Sequence, residues 1–215
     1  MPERRRSAAL ILAGLACAGL VYFFWPRTAS LRSFSPEAMG NLETAMWHDY
    51  YDHRYVALFR RLYRMNREQY GFSPWDSVRV AFIAAKAARV FQPSTNRAQA
   101  EAAIPWLYRY YGIIKERSHE PFDVDKAAAS ELDWWQLRRE GATPEEYGRV
   151  IAQVAHEVYG NRDQRLDQAS RLRATMMDYR DRRADGRMGE QDWRFVEQNL
   201  REAFTLLKEG VMRNR

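Results

Sequence analysis

The stretch from Ala8 to Trp25 carries no charged and no strongly polar residue. As a helix it would reach about 27 Å at 1.5 Å per residue, close to the hydrocarbon thickness of a bilayer. Arg4, Arg5 and Arg6 stand directly before it; Tyr22, Phe23, Phe24 and Trp25 close it, and Pro26 ends it. Aromatic rings suit the headgroup level, and an arginine excess marks the cytoplasmic flank. The stretch therefore predicts a single-pass transmembrane helix with its N-terminus inside and the rest of the chain on the periplasmic or extracytoplasmic face. Two alternatives share these features. A secretory signal would be cleaved near Thr28-Ala29-Ser30 and release the protein. A lipoprotein signal would use Cys17, but Gly14-Leu15-Ala16 before it fits poorly. Ala9, Ala13 and Cys17, with Gly14 and Ala18, repeat small residues at a spacing of four, a pattern that lets membrane helices approach closely.

Charge limits the functions open to the chain beyond the anchor. The formal net charge is +6, and residues 1–32 hold five arginines against one glutamate, so only +2 remains for residues 33–215. A basic surface of the kind nucleic-acid binding needs is therefore not expected of the body. The single cysteine lies in the anchor, which leaves no disulfide or thiolate chemistry for the rest of the chain. The reading divides the protein into an anchor (1–26), a linker (27–34) and a helical domain (35–215).

Start and stop signals then recur along the chain. Ser35-Pro36-Glu37 opens a helix expected to run to Tyr70 and stop at Gly71, with Gly40 loosening its first turn. Ser73-Pro74 opens another that ends before Pro93. Ser94 or Thr95 caps the next, which reaches about Arg117 and is kinked or divided at Pro105. Asp123 caps a helix to Glu140. Thr143-Pro144-Glu145-Glu146 is a capping box for a helix ending at Tyr159-Gly160. A charged helix from Asp163 to Ala184, a loop over Asp185–Gly189 and a last helix from Glu190 to Val211 complete the chain. No alternating β-branched run appears. The expected fold is all-α: the membrane helix followed by a helical bundle of about seven helices, with a short α-solenoid as the alternative.

Four groups of residues are candidate sites. Glu43, Trp47, Tyr50 and Arg54 share one helix face by their spacing, and Glu131, Trp134, Trp135 and Arg138 form a similar group. An acid and an arginine bracketing aromatic rings can line a ligand pocket, or can be a buried network in which each glutamate pairs with an arginine. Metal ligation rests on one Glu-x-x-His motif, Glu116 to His119, with Glu43, His48, His53, His156 and Glu157 as partners only the fold could supply. Arg60, Arg64 and Arg67, with Arg61 nearby, form a basic stripe able to meet anionic lipid. The balanced Arg/Asp segment from Asp163 reads as solvated surface.

No phosphate loop, nucleophile elbow or haem motif is present. These features suggest a non-enzymatic accessory or scaffold protein that organises a membrane complex, its partners being the lipid bilayer and a membrane protein, with no nucleic acid and no cofactor. The alternative is a ligand-binding or metal-dependent helical enzyme that uses Glu and His side chains on its helices.

Overall fold

The computed structural model describes the backbone of residues 2–183 and 188–213, with side chains from residue 10 onward. The helices are α1 (Pro2–Phe24), α2 (Pro36–Tyr51), α3 (Tyr55–Arg64), α4 (Pro74–Phe91), α5 (Arg97–Ala100), α6 (Ile104–Ser118), α7 (Val124–Arg139), α8 (Pro144–Tyr159), α9 (Gln164–Asp181) and α10 (Glu190–Met212). Arg4 to Arg6, Ala8 and Ala9 lie in helical backbone with their side chains outside the described residues. Residues 184–187, in the loop expected after α9, lie outside the described residues.

The expected caps hold their helices. The side chains of Ser35, Ser73, Asp123 and Asp163 accept backbone N–H groups at the starts of α2, α4, α7 and α9. Thr143 and Glu146 form the reciprocal capping box of α8, and Gly160 ends that helix at φ +64°. Pro105 divides rather than kinks: α5 and a 3₁₀ turn (Glu101–Ala103) precede it, and α6 starts around it. Asn96, not Ser94 or Thr95, caps α5; Ser94 is buried and its hydroxyl donates to the carbonyl of Phe91 at 2.6 Å.

The long helix expected over 35–70 is broken into α2, α3 and a π-helical turn (Met65–Gln69). The cause is a carboxylate. Asp49, 1% exposed, accepts from Arg54 Nε at 2.9 Å and Arg61 Nε at 2.5 Å. His53 sits at φ +57° to let the chain turn between them. Two charge-assisted hydrogen bonds to a buried acid outweigh the few helical bonds given up.

Each helix packs mainly on its chain neighbours, from α2 through α3, α4, α6, α7, α8 and α9 to α10, and α10 returns to pack on α2. That last seam decides between the two architectures. An open solenoid would leave its first and last helices apart; here they meet, so the body is a closed helical bundle with a centre. Gly40 makes the closure possible. A Cβ on it would lie 2.7 Å from the backbone nitrogen and 2.8 Å from the Cα of Arg201, so the glycine expected to loosen a first turn is instead the crossing point of α2 and α10.

Residues 27–34 do not behave as a free linker. Ala29, Leu31 and Phe34 are buried. The N–H of Ala29 donates to the Arg117 carbonyl, and that of Ser30 to the Tyr70 carbonyl, each at 2.8 Å. Arg32 donates to Glu120 at 2.9 and 3.1 Å, to the Val211 carbonyl at 2.6 Å and to the Tyr159 carbonyl at 2.8 Å. Lys208 in turn donates to the carbonyl of Arg32. The segment is a strap that ties α1 to the ends of α6, α8 and α10. At the foot of α1, Arg67 donates to the Tyr22 hydroxyl at 3.0 Å, and Trp75 lies 5.3 Å from the Phe24 ring.

Among the described residues no helix is long and apolar enough to cross a membrane. In α1 the side chains described begin at Leu10, inside the stretch that the sequence marks from Ala8. Leu10, Ile11, Leu12, Leu15, Leu20 and Val21 are all exposed, with Leu10 at 73%.

Candidate functional site

The centre of the bundle is hollow. A cavity of about 350 Å³ lies inside it, walled by α2, α3, the π turn, α4, α6, α7, α8, α9 and α10. Most of the wall is apolar: Leu31, Phe72, Leu107 and Ile114 toward the strap, and Ile151, Val154 and Phe204 along the sides. Three charged side chains line it, Glu43, Glu131 and Arg173. A second recess of about 320 Å³ shares Glu131, Trp134, Trp135 and Arg173 with it and is further lined by Trp47, Tyr50, Phe91 and Arg138. Tyr50 is partly open to solvent, so the recess leads from the surface to the charged group.

Arg173 organises these charges. It stands on α9 with Leu166, Ala169, Ser170 and Met177, all buried and spaced so as to share its face. Its Nε donates to Glu43 Oε1 at 2.6 Å, and Nη2 lies 2.6 Å from the same oxygen. Glu43 is 4% exposed. Burial pulls the guanidinium toward losing its proton, but Glu43, with Glu131 and Tyr70 adding to it, holds its pKa above the ordinary arginine value.

Glu131 is held differently. Its Oε2 accepts from the Tyr111 hydroxyl at 2.8 Å and its Oε1 from the Trp135 indole N–H at 3.0 Å. Among the described residues no arginine donates to it. The two acid–aromatic groups read in the sequence are thus brought to one cavity, but not with the expected partners. Arg54 is turned away past the end of α2 and bonds Asp49. Arg138 reaches outward to Asp181 at 2.7–3.0 Å and to the Tyr51 hydroxyl at 2.9 Å. Only Glu43 finds an arginine, and that arginine comes from a distant helix.

Four tyrosines face the same space: Tyr70, Tyr110, Tyr111 and Tyr159. Burial first, and the neighbouring carboxylates second, raise the pKa values of Tyr70, Tyr110 and Tyr111; for Tyr159 burial again leads, with Tyr70 next. A raised tyrosine pKa stabilises the fold at pH values below the unfolded value of about 10, and that stability is lost as pH climbs toward the folded values. Absorbance at 295 nm during alkaline titration should show a late-ionising set of tyrosines that titrates only as helical circular dichroism disappears. Complete phenolate formation with the helices intact would contradict this.

The metal residues do not converge: among the described residues no group of three or more His, Cys, Asp or Glu side chains is placed to hold an ion. Each is engaged elsewhere. Glu43 bonds Arg173; His48 meets Asp52 at 3.0 Å and stacks on Trp193; His53 contacts the Tyr55 hydroxyl at 2.9 Å. Glu116 lies 3.0 Å from Arg117, and His119 is the left-handed cap of α6 at φ +58°. His156 faces Asp167 at 3.5 Å, and Glu157 accepts the backbone N–H of Asp123 at 2.8 Å. The basic stripe is also largely engaged. Arg64 pairs with Glu68 at 2.9 Å, Arg61 with Asp49, and Arg67 with Tyr22 and the Phe72 carbonyl, while Arg60 is exposed. In α1, Ala13, Gly14, Cys17 and Ala18 are exposed, and the side chain of Ala9 lies outside the described residues.

Fold and site together define a closed helical bundle with a partly open central cavity that carries two carboxylates and one arginine. Compared with protein-family models, curated proteins and solved structures, the chain matches none.

Proposed function

We propose that this is a membrane-tethered ligand-binding protein whose closed bundle holds a small, largely apolar molecule at its centre. The observation that carries the reading is the cavity itself. Natural helical cores are packed to few voids larger than a water molecule, whereas this interior leaves about 350 Å³ beside a charged group that packing alone does not require. Apolar walls with a few convergent polar groups are the usual makeup of a ligand pocket. Tyr70 and Tyr110 line it, and among the described residues their hydroxyls find no hydrogen-bond partner. The alternative drawn from the sequence is thereby favoured in its ligand-binding form over a pure scaffold, and the non-converging histidines give the metal-dependent form no support.

The tether is the stretch from Ala8 to Trp25. Its large apolar side chains from Leu10 to Val21 stand exposed on all sides of α1, as lipid would require and water would penalise. The arginines before it favour a cytoplasmic N-terminus with the body outside. Protease added to intact spheroplasts should then digest the body; protection until lysis would reverse the orientation. The strap and the contacts of Tyr22 with Arg67 and of Phe24 with Trp75 keep the body next to the foot of α1, which suits handling a ligand that partitions into, or passes along, the membrane.

Native mass spectrometry of the full chain, released from carbonate-washed membranes, tests both parts. Wild type should stay with the membranes and carry one small-molecule adduct per chain, absent from Ala155→Phe, which fills the cavity from α8. Recovery in the soluble fraction would remove the tether, and the same adducts on wild type and variant would remove the site.

A further inference from the structure

We infer that the ligand carries a single positive charge, as a protonated amine on an apolar or aromatic body, and that Glu131 is its counter-ion. This deepens the binding-site reading and rests on it. The charge count of the cavity is the starting point. Glu43, Glu131 and Arg173 are the charged groups of its lining, so one carboxylate is left over. Geometry says which. Arg173 directs Nε and Nη2 to Glu43 Oε1, both at 2.6 Å. Glu131 has only neutral donors, one on each oxygen: Tyr111 at 2.8 Å and Trp135 at 3.0 Å. A carboxylate oxygen accepts two hydrogen bonds, so both retain capacity. Glu131 is partly buried, and a carboxylate at the wall of an apolar cavity gains more from a bound cation than one in open water does.

The surroundings suit an organic cation better than a metal ion. Tyr110, Tyr111, Trp134 and Trp135 line the space around Glu131, and aromatic faces attract a diffuse cation through their quadrupoles. Among the described residues Glu131 belongs to no group of three or more His, Cys, Asp or Glu side chains that could hold a metal ion. The remaining wall toward the strap, with Leu31, Phe72 and Leu107, receives an apolar tail. An anionic ligand at Arg173 would share the cavity with two carboxylates, which like-charge repulsion disfavours.

A matched series separates the charge from the cavity: 3-phenylpropylamine, 3-phenylpropanol and 3-phenylpropanoate share one skeleton. Calorimetry on the full chain in phosphatidylcholine nanodiscs, with empty nanodiscs subtracted, should rank the amine at least about tenfold tighter than the alcohol, the ratio expected of one charge-assisted contact, with the carboxylate weakest. Glu131→Gln should bring the amine to within about threefold of the alcohol. Binding of all three with the alcohol or the carboxylate equal to or tighter than the amine would overturn the assignment of charge while leaving the cavity as a binding site. Binding of none would overturn both. The wild-type ranking stands by itself if the variant fails to fold.

Discussion

Arg173→Ala should destabilise the body by about 2–3 kcal/mol, less than for a fully buried ion pair because the Arg173 side chain keeps 34% of its surface accessible while Glu43 is buried. Glu43 is 4% exposed and receives both of its close contacts from Arg173. Without them its charge is stranded in the wall, and the loss of the long side chain enlarges the cavity as well. Replacing both partners with apolar residues, as in Glu43→Leu with Arg173→Met, should recover much of the loss, because no orphan charge then remains. Glu131→Ala is the informative contrast. The sequence alone pairs Glu131 with an arginine and so predicts a cost of roughly 3 kcal/mol. Its actual partners are a phenol and an indole, so the expected cost falls to about 1–2 kcal/mol. Urea unfolding of the full chain in nanodiscs, followed by circular dichroism, reads all of these. An Arg173→Ala loss under about 1 kcal/mol would mean that the pair is solvated and not part of the core.

Gly40→Ala should cost about 2–3 kcal/mol although it adds a single methyl group to a helix, because overpacking a close contact costs about 1–3 kcal/mol or more. In an open helix the same change is worth about 0.5–1 kcal/mol of stability. Here the new Cβ would stand 2.6 Å from Arg201 Cγ, 2.7 Å from its nitrogen and 2.8 Å from its Cα. Two of those atoms are backbone, so no rotamer change relieves them and α10 must move off α2. That seam closes the ring, so a shift there also opens the cavity. Gly112 provides the control: it lies within α6 with nothing within 4 Å of the added atom, and Gly112→Ala should stabilise by about 0.5–1 kcal/mol. The same unfolding series measures both. Equal behaviour of the two variants would show that the α2–α10 crossing is looser than its geometry.

Local signals are the legible part of this fold. Serine, threonine and aspartate caps with proline after them mark helix starts because they act within a few residues, and the structure places Ser35, Ser73, Asp123, Thr143 and Asp163 at those starts. The break after Tyr51 is hidden because its cause is tertiary: Asp49 is drawn inward by Arg54 and Arg61, and neither spacing announces a buried acid. Gly40 misleads for a similar reason, since a glycine that weakens an isolated helix also permits close contact with a partner that sequence does not show. Glu43 and Glu131 are marked by their company of aromatic rings. Arg173 escapes notice because the balance of arginine and aspartate in its segment points to a solvated surface. A signal exists in the spacing of Leu166, Ala169, Ser170, Arg173 and Met177, which sets the arginine on an apolar stripe. Tyr70, Tyr110 and Tyr111 lie near helix ends or among other rings and carry no pattern that separates cavity from core.

The claim that the bundle encloses a binding site is tested most directly by stabilisation with a neutral aromatic probe. Thermal unfolding of the full chain in nanodiscs, with and without indole, should show a midpoint that rises with probe concentration, since a ligand that binds only the folded state adds RT ln(1 + [L]/Kd). Ala155→Phe on α8 and Ala84→Phe on α4 fill the cavity from two different helices, and each should abolish the rise. A midpoint unmoved by the probe in wild type, or raised equally in both filled variants, would contradict a ligand site at the centre of this fold.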